Sequence, residues 1–160
     1  MTFESASHVS LPTAAVVLGG AGAVPFVVLA VTACVAAEGV AIVSSEAVVT
    51  YGAVILSFIG GAHWGFASGS VAGGHAPAAG RLFTASVVPS LVGWVALMLP
   101  TPWSAAVLGI AFVALLPLDR WAWMRSLTPN WWMRLRLPLS AAVATSLFVT
   151  CAATLLRFGS

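Results

Sequence analysis

The sequence has no lysine, and Asp, Glu and Arg together make up only 6% of its 160 residues, where soluble globular domains carry roughly 25% charged residues. The six arginines are dispersed, so no basic run offers a surface to nucleic acid. Cysteine is nearly absent. Cys34 and Cys151 each sit in an apolar run with no CxxC or Cys/His cluster around them, which excludes the usual zinc, iron–sulfur and c-type haem signatures. No nucleophile elbow, paired carboxylates or metal-ligand spacing is present, so an enzyme is not the expected class. The first ten residues hold Glu4 and no basic residue, unlike a signal peptide, and the apolar run that follows is expected to be a retained helix.

What the sequence has is hydrophobicity: 61% apolar residues and a mean hydropathy of +1.07. These values belong to an integral membrane protein. The pattern predicts an all-α bundle of five transmembrane helices in one domain, with spans near 12–37, 47–67, 81–99, 103–120 and 137–157. Between them, Glu38 and Glu46 are placed in a short loop, and the Gly, Ala and Ser-rich stretch 68–80, with His75 and Pro77, in a flexible one. His8 and His75 fall outside the expected spans. Threaded alternately, the spans put Arg81, Arg120, Arg125, Arg134 and Arg136 on the side of the N-terminus. The positive-inside rule then predicts the N-terminus in the cytoplasm and the C-terminus outside.

The second span, YGAVILSFIGGAHWGFA (51–67), carries the most unusual residues. Ala53, Ser57, Gly61 and Gly65 recur one helical turn apart and predict a ridge against which another helix packs. His63 lies on an adjacent face, and an imidazole within a span is costly unless a partner or a wet cavity meets it. Counting ~1.5 Å per residue from Ala47 and from Trp103 puts His63 and Asp119 at the same depth, roughly 24 Å along their helices. Arg81 opens the third span on that side. His63, Asp119 and Arg81, with Trp64 beside them, are therefore the candidate functional cluster, since pairing lowers the cost of each group in low dielectric.

Plainer roles compete with that reading. Asp119 and Arg120 can snorkel to the interface and set helix tilt, and His63 can be a core histidine bonded to a carbonyl or a serine. Trp103, Trp121, Trp123, Trp131 and Trp132 fall at expected interfaces as aromatic anchors, together with Arg125, Arg134 and Arg136. Trp64 and Trp94 lie within spans, where an indole can line a pocket for a flat ligand. Pro25 and Pro89 each remove one helical hydrogen bond.

The stretches LGGAGAVPF (18–26), YGAVILSFIGGAHWG (51–65), VPSLVGW (88–94), LDR (118–120) and PNWWMRLR (129–136), in this order, resemble the DUF3429 family of transmembrane protein 69-like proteins. The resemblance implies a small multi-pass protein of a bacterial inner membrane, or of the mitochondrial inner membrane in a eukaryote, and no activity. The size and tryptophan content are also similar to those of porphyrin-binding sensory/translocator proteins. Their proline-tryptophan motifs are missing here, and a single intramembrane histidine does not make a bis-histidine haem site, so no cofactor and no metal is expected. The expected partners are the lipid bilayer and either other membrane subunits or further copies of the chain. The expected function is binding, as an accessory subunit or a small-ligand binder; the alternative is a proton-coupled carrier or permeation unit built on His63 and Asp119.

Overall fold

A computed structural model describes residues 11–74 and 76–158; His8 and His75 lie outside them. Five helices follow one another: α1 (Thr13–Val35), α2 (Glu38–Ala72), α3 (Ala76–Ala96), α4 (Thr101–Met124) and α5 (Trp132–Phe158). All five have a stretch long and apolar enough to cross a membrane. The protein is a multi-pass membrane helix bundle.

Helix α2 is the centre of the bundle and packs against each of the other four, whereas the α1 backbone runs beside α2 and α5 and reaches α4 through Phe26 and Phe112. At ~1.5 Å per residue its 35 residues reach roughly 50 Å, well beyond a ~30 Å hydrocarbon core. It begins at Glu38 rather than near Ala47, so Glu38 and Glu46 are helical and not in a loop. The reason is local. Stretch 38–46 contains no proline, Glu38 sits where a helix N-terminus favours negative charge, and the buried Ser45 hydroxyl donates to the Ala41 carbonyl at 2.8 Å.

At its other end α2 also runs further than expected, to Ala72, and most of the stretch placed in a flexible loop is helix. Only the glycine pair Gly73-Gly74 stops it, with Gly74 at φ +83°, a left-handed conformation that glycine adopts without steric cost.

Small residues let α2 and α3 approach closely, but not on the expected ridge. The buried stripe of α2 is Ala53, Leu56, Gly60, His63 and Ala67, and that of α3 is Ala79, Leu82, Ser86, Pro89, Gly93 and Ala96. Both advance by alternating steps of three and four. A row at strict fourth positions drifts ~40° per step around the helix, so Ala53 stays on the seam while Ser57 is half-buried and Gly61 and Gly65 turn outward. Among the described residues, no other helix comes within 4 Å of a Cβ added at Gly61 or Gly65. A Cβ at Gly60 would instead run into the Ser86 carbonyl oxygen, and one at Gly93 would lie 3.2 Å from the Ala53 oxygen.

Polar clasps hold α1 to its two neighbours. Tyr51 donates its hydroxyl to the Gly22 carbonyl at 3.0 Å and packs on Phe26 with the rings tilted at 49° and their centres 4.9 Å apart. At the end of α1, Arg157 of α5 donates to the carbonyls of Ala33 (2.8 Å), Cys34 (3.2 Å) and Ala36 (2.8 Å), which a helix C-terminus leaves without intrahelical donors. This cation therefore caps α1, not its own helix. Below it, Phe26, Val48, Leu56, Leu108, Phe112 and Leu147 form the centre of the apolar core.

The two faces of α2 are separable by substitution. Gly60→Leu should cost about 1–3 kcal/mol or more by overpacking a backbone contact, whereas Gly61→Leu should leave the melting temperature of the detergent-solubilised monomer unchanged. Equal melting temperatures for the two variants would refute the assigned seam.

Candidate functional site

Ionic groups inside a bundle need partners on several sides, and Asp119 has them from two other helices. Its Oδ1 lies 2.8 Å from Nε2 of His63 on α2 and accepts Nε1–H of Trp132 at 2.7 Å, while Oδ2 accepts Nε–H of Arg136 at 2.9 Å. His63 and Asp119 are 0% exposed and Arg136 is 5% exposed. With Asp119 ionised and accepting, the proton of a neutral His63 belongs on Nε2, which leaves Nδ1 as an acceptor. That Nδ1 is buried with no hydrogen-bond partner among the described residues. A neutral ring leaves the cluster with one positive and one negative charge, hence no net charge within the bundle.

The turn after α4 makes this convergence possible. The chain leaves α4 through a Schellman motif, in which Ser126 N–H donates to the Trp123 carbonyl and Leu127 N–H to that of Ala122, both at 3.0 Å. Ser126 takes the left-handed position, φ 55°, that glycine usually fills. Leu127 then packs with Ala122, Ala67 and Leu82 in a second small core. The reversal is tight enough for Trp132 and Arg136, one turn apart at the start of α5, to face Asp119 in the last turns of α4. Around the carboxylate, Phe66 meets Trp132 edge to face at 4.8 Å, and the Arg136 guanidinium lies 5.9 Å from the centre of the Trp132 ring.

Of the residues singled out in the sequence, His63 and Asp119 thus come into contact. Arg81 does not join them: it is exposed, next to the buried Leu82, on the outward side of α3. Trp64 points outward, 52% exposed, with Phe83 against it at 4.8 Å, and Trp94 is 61% exposed. The cation beside Asp119 is Arg136, and Trp132 is a buried donor, although the sequence pattern had assigned both to an interfacial belt. Their four-residue spacing was the available signal, because it puts an indole N–H and a guanidinium on one helix face.

Trp132 and Arg136 also form one wall of an apolar cleft of about 350 Å³ between α1, α2, α4 and α5. The smooth face of α1, Ala15, Gly19, Gly22 and Ala23, lies opposite Leu135, Leu139 and Ser140 of α5. Phe26 and Phe112 are fully buried at its floor, whereas Leu18 and Phe58, each 72% exposed, mark a rim open to the membrane side of the bundle.

Comparison with known proteins places these residues in a wider group. The family described as "Protein of unknown function (DUF3429)" matches residues 11–152. Transmembrane protein 69 of Xenopus tropicalis is 37% identical over 151 residues, covering 85% of this chain and 53% of that protein. The chain therefore spans about half the length of this curated relative. No solved structure matches.

The carboxylate's role in holding three helices can be measured. Asp119→Asn strands a buried guanidinium and should destabilise the protein by about 3–5 kcal/mol; Trp132→Phe, which removes one hydrogen bond to a charged acceptor, should cost about 1.5–3 kcal/mol. The double variant should lose less than the sum, since the second change removes a bond already weakened. Additive losses in thermal unfolding would mean that the two side chains do not share the contact.

Proposed function

The chain belongs to the DUF3429 family, and we propose that it acts by binding, holding a small lipid-soluble molecule in the cleft between α1 and α5. The observation that carries this reading is the cleft itself: an apolar recess of about 350 Å³ with a buried arginine in its wall. Small-molecule sites commonly start at ~300 Å³ and combine apolar walls with a few fixed polar groups. Gly19 lets α5 close on α1 beside this recess, since a Cβ there would lie 2.9 Å from the Leu139 side chain.

The carrier alternative, with His63 and Asp119 exchanging a proton, draws less support. Both groups are fully buried, and each Asp119 oxygen is already taken by a donor. For the setting, we propose an inner membrane, from the family resemblance, with the N-terminus in the cytoplasm, on the strength of the arginine bias.

Two experiments test these statements. A photoreactive decyl diazirine should label residues 15–23 and 135–143 saturably in the detergent-solubilised protein, and Ala23→Phe, which fills the cleft, should suppress that labelling. Labelling that rises linearly with dose and ignores the substitution would reflect lipid-facing surface alone and sink the reading. A reporter active only in the cytoplasm should be silent when fused after Phe158 in a bacterial host; activity there would invert the orientation.

A further inference from the structure

Two buried polar atoms in the wall of this cleft have no hydrogen-bond partner among the described residues: Nη2 of Arg136 and Oγ of Ser140. The residues are 5% and 1% exposed, and both line the cleft. They lie four positions apart on α5, so their side chains leave the helix on one face, one above the other. A buried donor left unpaired is costly, and more so when it is charged. Within the cluster Nε makes the contact to the carboxylate, while Nη2, beside it on the same edge of the guanidinium, makes none.

Resting on the binding reading above, we propose that the ligand presents an uncharged carbonyl oxygen to Arg136 and Ser140, as a lipid-soluble quinone does, with its ring among the aromatic side chains and its tail leaving past Leu18 and Phe58. Three observations converge on this class. Nη2 can only donate and the Ser140 hydroxyl can donate beside it, so an acceptor on the ligand suits both. The charge of Arg136 is already balanced by Asp119 across 2.9 Å; an anionic head would bring an uncompensated charge into low dielectric, whereas a carbonyl brings none. Finally, Phe26, Phe58, Phe112, Trp131 and Trp132 line the recess, and aromatic faces and edges suit a flat ring better than a saturated chain. At about 350 Å³ the recess has room for a ring head group, with a long tail left to the bilayer.

Competition against the photoreactive decyl diazirine separates this proposal from the reading it rests on. Three competitors carry a saturated chain of nine or ten carbons: decylbenzoquinone with carbonyls, decylbenzene with none, and decanoate with a charge. Decylbenzoquinone should displace the probe at a concentration roughly tenfold below that of decylbenzene. Ser140→Ala, which removes a buried unpaired hydroxyl and should fold, is expected to raise the quinone concentration required by about 3–10-fold without a matching change for decylbenzene. Ser104→Ala removes another buried, unpartnered hydroxyl outside the cleft and should shift none of the three. Equal potency of quinone and decylbenzene, or an equal shift of both in Ser140→Ala, overturns the carbonyl assignment while saturable labelling keeps the cleft. Greatest potency for decanoate overturns it in favour of a carboxylate. Failure of the probe to label saturably removes the cleft reading itself.

Discussion

An ionised carboxylate buried between helices must be met by donors whose positions are fixed before it arrives, and Asp119 imposes that condition on this bundle. Meeting it requires His63 late in α2, Asp119 late in α4, and Trp132 and Arg136 at the start of α5 to lie at one level. Helices that alternate in direction satisfy this only with a sharp reversal between α4 and α5. The strained Ser126 turn supplies the reversal, and the Leu127 side chain pins it to α2 and α3 through the small core around Ala67 and Leu82. Local backbone geometry, apolar packing and ion pairing thus support one another at the same end of the molecule.

The same contact links architecture to the proposed binding role. Arg136 and Trp132 both bond Asp119 and both border the cleft, so the carboxylate fixes the orientation of side chains that a ligand would meet. Binding sites need groups whose rotamers are locked by a supporting layer. Here the supporting layer is a buried ion pair, and its partner donors come from side chains that hold the helices together. Stability and recognition therefore draw on one set of hydrogen bonds.

Much of the fold was legible in the sequence because the bilayer makes hydropathy a direct readout of helix position. Counting residues along α2 and α4 was enough to bring His63 and Asp119 to one height. Height does not give azimuth, however, and this is why Arg81 appeared to belong with them: it is one position away from the buried Leu82, yet ~100° around the helix. Arg136 was missed for the opposite reason. The run WWMRLR depresses hydropathy, so the fifth span was expected to begin at 137, and a cation with a buried partner looked like one at the interface. The glycine seam was misplaced by a single residue, Gly61 for Gly60, because strict fourth-position spacing ignores the turn-to-turn drift that alternating steps correct. The cleft had no sequence signature, since small residues on α1 read equally well as a packing face.

The fastening of α1 has a mechanical side. Arg157 grips its last carbonyls and Tyr51 holds it at Gly22, but Ala15 and Gly19, nearer its start, border the cleft. A rod pinned at one end and again near its middle leaves its remaining arm to other forces, and here that arm is its first two turns. The fastening of α1 thus changes in kind along its length, from directional hydrogen bonds at the far end to close apolar contact at the cleft, where Gly19 lies against Leu135 and Leu139.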